Sequence, residues 1–169
     1  MSGDRVITPK LDPSGALTAN RPMSEILLRP AIPDDAAAIA RAFTPARRAM
    51  PGVPDIHTAE DDLAFITRSM LPDNTVTVAE LGGTLAGVAA YADGWLTHLY
   101  VHPDHHRRGI GAALLAHVMA YCPQGLSLWV FQSNAPARAF YESHGFRCVG
   151  LTDGQSNEEK CPDARYSWP

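Results

Sequence analysis

Leu99-Tyr100-Val101-His102-Pro103-Asp104-His105-His106-Arg107-Arg108-Gly109-Ile110-Gly111-Ala112 is the stretch on which the reading of this chain turns. Strand-forming residues end at Val101, a Pro-containing loop follows, and a helix begins with two glycines. Gly109 and Gly111 let the backbone approach a ligand closely and adopt conformations that other residues avoid. The first N–H groups of a helix have no intrahelical partner, and the helix dipole favours an anion there. Arg107 and Arg108 add two cations, so in physical terms the stretch is a pyrophosphate site.

Other readings compete for the same residues. Gly-x-Gly-x-x-Leu, 109–114, is close to a dinucleotide fingerprint, but Leu114 replaces its third glycine and no acid follows about twenty positions on. A Walker loop is excluded by the lack of Gly-Lys-Ser/Thr. A plain glycine turn with solvated arginines stays open on these residues alone.

Upstream, strands are expected around Thr75–Glu80, Leu85–Tyr91 and Trp95–Val101, with Gly82-Gly83 as a hairpin turn. A short strand, Ile26 to Arg29, precedes an Ala-rich helix begun by Pro33-Asp34-Asp35, with inner face Ile39, Ala40 and Phe43. After a Pro/Gly-rich loop, Met50 to His57, Thr58 caps a second helix. Its apolar repeat is Leu63, Ile66 and Met70. Downstream, the helix from about Gly109 buries Leu114, Leu115, Val118 and Met119. A strand at Leu126–Phe131, a helix at Asn134–His144 and a strand at Phe146–Leu151 follow. A polar tail ends with Tyr166 and Trp168 in a last short strand. Three adjacent strands and then strand–helix–strand describe a mixed α/β domain with a mainly antiparallel sheet flanked by helices.

Composition narrows the class. With 46% hydrophobic and 19% charged residues in 169, the chain is long enough for one core and ordinary for a globular protein. A net charge of −4 argues against a nucleic-acid surface, and no apolar run suits a bilayer. No secretion signal is legible, so a cytoplasmic location is expected. Cys122, Cys148 and Cys161 form no CxxC pair and read as free thiols. The histidines His98, His102, His105 and His106 lack the HExxH pattern, so no metal is expected. Residues 1–24 read as a disordered extension with the natural start near Met23, and residues 25–169 as one domain.

A second phrase lies downstream: Asn134-x-x-Ala137-x-x-Phe140-Tyr141-x-x-x-Gly145-Phe146. Asn134 suits a helix cap, Pro136 the first turn, and Gly145 the end. This phrase, together with Val101-His102-Pro103 and His106-Arg107-Arg108-Gly109-Ile110-Gly111, resembles the two signatures of the GNAT family of acyl-CoA N-acyltransferases. The resemblance covers roughly residues 26–151. It departs at His106, where the family prefers Gln or Arg. The tail, Asp153-Gly154 and Asn157-Glu158-Glu159, with Pro54–Thr58 and Gly94-Trp95, is similar to an uncharacterised bacterial-type subgroup.

The resemblance implies the GNAT fold, with the sheet splayed between the 95–101 and 126–131 strands and about four flanking helices. It implies acetyl-CoA as cosubstrate and a primary amine, on a small molecule or a peptide, as acceptor, attacked directly in a ternary complex. Leu99, Tyr100, Val101, His106, Arg107, Arg108, Gly109, Ile110, Gly111, Ala112 and Asn134 are the implied cofactor-side residues. Tyr141 is the implied general acid. Many relatives carry a Glu on the 95–101 strand where this chain has Trp95-Leu96-Thr97, which leaves His98 as base or as orienter of a water. His57, Trp95 and Glu158 are expected on the acceptor side, and Asp153, Glu158, Glu159 and Asp163 read either as a cation-attracting patch or as a solvated tail. Many family members are dimers, so a homodimer is open. The competing function is a non-catalytic acyl-CoA-binding sensor on the same fold.

Overall fold

The computed structural model describes residues 25–169; the expected extension 1–24 lies outside the described residues. Apolar runs buried on both faces at the centre and alternating strands beside them build one seven-stranded sheet, ordered β1-β2-β3-β4-β5-β7-β6. The strands are β1 (Ile26–Pro30), β2 (Thr75–Leu81), β3 (Thr84–Ala92), β4 (Trp95–Val101), β5 (Leu126–Phe131), β6 (Arg147–Leu151) and β7 (Asp163–Trp168). Every neighbouring pair is antiparallel except β4 and β5.

Helix α1 (Ala36–Arg48) and α2 (Ala59–Phe65) cover one face; α2 continues through a π turn (Ile66–Met70) into α3 (Leu71–Asp73). Ile39, Phe43, Ile66 and Met70 pack there over Val76, Val78, Val88 and Ala90. On the other face, α4 (Ile110–Tyr121) and α5 (Ala135–Ser143) bring Leu114, Leu115, Val118 and Tyr141 onto Ala86, Ala89, Leu96 and Leu128. Gly87 makes the close approach of α4 feasible, since a Cβ there would meet Ile110 Cγ2 at 3.0 Å and Leu114 Cδ1 at 3.1 Å.

Thr58 caps α2 as its sequence predicts, in a box closed with Asp61. The inner face of α2 differs from expectation. Leu63 is 39% exposed, and Asp62 is buried in its stead. Arg47 draws the Asp62 carboxylate inward, and Asp62, Ile66 and Met70 then recur every fourth residue, a period that the widened π turn accommodates.

Two irregularities shape the middle of the sheet. Pairing of β3 with β4 jumps from Ala90↔His98 to Tyr91↔Leu96, so Thr97 is an extra residue, a β-bulge. Its Oγ1 lies 2.9 Å from Ala90 O and 2.8 Å from Asn74 Oδ1. The bulge re-phases the strand. Leu96, Leu99 and Val101 face the α4 side, while His98 and Tyr100 face Phe43 under α1. The second irregularity is the joint of β4 with β5. Only Trp95↔Ser127 and Leu96↔Leu128 pair, after which the two strands part, as the resemblance implied.

The tail is not a loose appendage. Residues of β7 insert between β5 and β6, and Tyr166 is fully buried.

Candidate active site

The loop before α4 is built by backbone torsion. Gly109 is the N-cap, with φ 81° and ψ 2°, and Arg107 also has a positive φ of 61°. The left-handed setting at 109 is the one that glycine adopts without penalty. The first backbone bond of the helix runs from Ala113 N to Gly109 O at 2.9 Å. The N–H groups of Ile110, Gly111 and Ala112 therefore point out of the helix end, where the dipole is positive. Arg107 and Arg108 are exposed beside them. His106 reaches back, its Nε2 3.0 Å from Val101 O, and so ties the loop to the end of β4.

Gly111 answers a fit test for an incoming anion. A Cβ there would meet Phe140 at 3.6 Å and Val101 at 3.8 Å, ordinary contact distances. Packing within the chain does not demand a glycine at 111.

Next to this helix end lies the opening between β4 and β5. The backbone of Leu99, Tyr100 and Val101 pairs with β3 on one edge and has no strand on the other. Asn134 Oδ1 accepts from Ala137 N at 3.2 Å, so this residue caps α5 and sets the helix that carries Tyr141. The Tyr141 ring packs edge-on to Phe140 and Phe146, and burial raises its phenol above the ordinary tyrosine range, with a smaller contribution from Tyr100. It is protonated at neutral pH. Tyr100 comes from the opposite face of the sheet. Its phenol is pushed up to about 12 by burial first and by Glu159 second.

A match to the Acetyltransferase (GNAT) family model extends over residues 38–146, from α1 through the glycine loop to Phe146. The chain belongs to the GNAT family of acetyltransferases. It is 38% identical over 110 residues, 64% of this chain and 73% of the relative, to the peptidyl-lysine N-acetyltransferase YiaC of Escherichia coli K12. An acetyltransferase structure from Thermus thermophilus superposes with a TM-score of 0.68 at 26% identity, covering 87% of this chain and 98% of that one. The fold is likewise that of YncA from Salmonella typhimurium, solved with acetyl-CoA (TM-score 0.66, 20% identity, 85% and 93% covered).

In this GNAT protein the acceptor-side candidates fall into two groups. His57 and Glu158 come together from distant loops, Nε2 to Oε2 at 3.4 Å. The loop with His57 is held by Arg47, whose Nη2 donates to His57 O at 2.9 Å and whose Nη1 donates to Asp55 at 2.7 Å. The loop with Glu158 is folded by Asn157, which donates to Cys161 O and to Asp163 and accepts from Cys161 N. Asp163 is thereby a structural acceptor, taking bonds from Asn157 and Thr152. Glu159 is half-buried near Tyr100, whereas Glu158 and Asp153 are solvated.

Trp95 stands apart from that group, beside Trp129 at the joint of β4 and β5. His98 is walled by Phe65 at 5.2 Å and Phe43 at 6.3 Å between ring centroids. Burial lowers its imidazole to about 4, so it is neutral and weakly basic at pH 7.

The sequence reading missed Arg47, Asp62, Phe65 and Trp129. Asp62 closes the run Glu60-Asp61-Asp62, and nothing in that run marks one acid as buried. Trp129 was findable. In Leu126–Phe131, Leu126, Leu128 and Val130 alternate with Ser127, Trp129 and Phe131, which sends the tryptophan to the face without α4. Among the described residues no cluster of His, Cys, Asp and Glu could hold a metal, no disulfide forms, and no helix is long and apolar enough to cross a membrane.

Proposed function

We propose that this protein transfers the acetyl group of acetyl-CoA to a primary amine by direct attack in a ternary complex. The observation that carries the reading is the parting of β4 from β5 beyond Leu96, which opens the Leu99–Val101 end of β4 next to the α4 N-terminus. It leaves a free strand edge for amide pairing next to an anion site. Gly109, Ile110, Gly111 and Ala112 offer backbone N–H groups to the pyrophosphate, with Arg107 and Arg108 as cations and His106 holding the loop. Leu99, Tyr100 and Val101 offer their free edge to the pantetheine amides.

In the transfer, the amine nitrogen bonds to the thioester carbon and the C–S bond breaks. One proton leaves nitrogen for bulk solvent, through a water that His98 orients, and one arrives at sulfur. Tyr141, whose phenol is protonated at neutral pH, supplies the proton to sulfur and regains one from solvent. His98, with its depressed basicity, accepts a hydrogen bond from the amine or a water and so orients it. His57 and Glu158 border the acceptor's path, together with Glu159. The similarity to a peptidyl-lysine acetyltransferase supports a lysine amine among the acceptors.

The weak basicity of His98 also favours a second reading, acyl-CoA binding without transfer. Thermal unfolding with acetyl-CoA, NAD and ATP tests the shared premise. At a hundredfold excess over Kd, acetyl-CoA adds about 2.7 kcal/mol, a rise of roughly 5–10 °C for a chain of this size. A rise with acetyl-CoA alone followed by thiol release on adding amines supports transfer. A rise without release across an amine library supports the sensor, and no rise sinks both.

A further inference from the structure

Trp95 and Trp129 share the face of the sheet turned away from α4 and α5; their neighbours Leu96, Leu128 and Val130 fill the other face. The two indoles lie 11° from parallel with centroids 6.4 Å apart, and Trp129 is 50% exposed. With Leu96 and Thr97 they line a shallow cavity of about 360 Å³. The cavity sits at the joint where β4 and β5 part, because Trp95 and Leu96 are the residues of β4 that pair with β5.

The lining selects the occupant. No charged side chain contributes to it, so a lone cation finds no counter-ion there. Two near-parallel indoles offer broad flat faces, which suit an aromatic ring in offset or edge-on contact. The volume matches the lower end of small-molecule sites. Reach is also right. A strand rises about 3.3 Å per residue, so Thr97 lies roughly 7 Å from the free edge at Leu99. A chain of two or three carbons between ring and amine spans that interval.

We propose that the Trp95–Trp129 shelf is an acceptor subsite that receives an aromatic ring attached near the reacting amine. The proposal rests on the amine-acetylation reading. A free arylalkylamine presents such a ring directly, and a peptide does so where a lysine side chain folds back beside a neighbouring aromatic residue; the shared chemistry is the ring held next to the amine.

The chain has three tryptophans, so a ¹⁵N-labelled sample gives three indole N–H signals, assigned with Trp129→Phe. Trp168 serves as an internal control, since it packs near Gly145 on the other face. Tryptamine, lysyl-tryptophan amide and hexylamine are titrated into the full chain. The expected result is that tryptamine or the dipeptide moves the Trp95 and Trp129 signals and leaves Trp168 in place, while hexylamine moves none. The tighter of the two names the source of the ring. Trp129→Ala raises the Kd of that probe at least tenfold, Trp129→Phe by less than threefold. Turnover adds a second readout: Trp129→Ala lowers the ratio of kcat/KM for tryptamine over hexylamine at least tenfold. Unmoved indole signals with both aromatic probes overturn the subsite, even where acetyl-CoA still drives thiol release. Moved signals without thiol release retain the ring site and overturn the transfer reading instead. A Trp129→Ala variant that sediments more slowly than the parent also overturns the subsite, because the shelf then covers a second copy of the chain.

Discussion

Arg47 holds Asp62 through two parallel hydrogen bonds, Nε to Oδ1 at 2.9 Å and Nη2 to Oδ2 at 3.1 Å, with both side chains almost sealed from solvent. The same guanidinium reaches Asp55 and the carbonyl of His57, so one buried pair fixes α2 against α1 and anchors the Met50–His57 loop. Asp62→Ala strands a buried cation, with only the more exposed Asp55 left to it. Destabilisation by roughly 3 kcal/mol is expected in urea unfolding. Asp62→Leu, which fills the space without restoring charge balance, is expected to remain less stable than the parent.

Tyr141→Phe keeps the ring contacts with Phe140 and Phe146 and removes only the hydroxyl. On the proposed mechanism, kcat falls about 100-fold. Acetyl-CoA affinity, measured by calorimetry, stays within twofold. An unchanged kcat assigns the proton at sulfur to another donor.

His98 couples stability to acid. Its imidazole titrates near 4 in the fold against an ordinary value of 6.5. Between those values the unfolded chain takes up a proton that the folded chain refuses. Stability contributed by this group is therefore complete above about pH 6.5 and is lost as pH falls toward 4, by about 3 kcal/mol in all. His98→Leu removes this component. Melting temperatures of parent and variant, compared at pH 7 and pH 5, are expected to show a smaller drop in the variant. Equal drops contradict the buried neutral imidazole.

Gly154 has φ +77°, and a Cβ there would run into the carbonyl of Cys161. Gly154→Ala forces open the loop that presents Glu158 and Glu159, at a cost of roughly 2 kcal/mol. Hydrogen exchange is expected to speed up across 152–162 while acetyl-CoA affinity holds, since the loop before α4 is built from other residues. Loss of acetyl-CoA binding in this variant counts against the division of the site into two sides.

The loop before α4 was legible in sequence because its information is local. A strand end, a glycine with positive φ at 109 and a helix start lie within fourteen consecutive residues, 99–112. The Asn134 phrase is similarly compact, and its cap bond to Ala137 spans three positions. The proposed acceptor side is assembled from long-range contacts. Arg47 and Asp62 are fifteen apart, His57 and Glu158 about a hundred, and no periodicity announces such pairs. The bulge at Thr97 was also hidden. Period-two reading puts Leu96, His98 and Tyr100 on one face, but the extra residue sends Leu96 to the other. That single residue turns His98 and Tyr100 toward Phe43 and makes them candidates for chemistry.

The placement of β7 between β5 and β6 sets an order of assembly. The strands β2, β3 and β4 are joined by tight turns and find each other locally, and the glycine loop follows directly behind them. Strand β6 pairs with β7 and, among the described strands, with no other, and β5 reaches its antiparallel partner only across more than thirty residues. Closing that longer loop costs more chain entropy before any contact repays it. As synthesis runs from N- to C-terminus, the half of the molecule with the glycine loop can take shape while the β5–β7–β6 wall still waits for residues 163–168. On the proposed function, a nascent chain thus acquires its grip on one substrate before it has a place for the other.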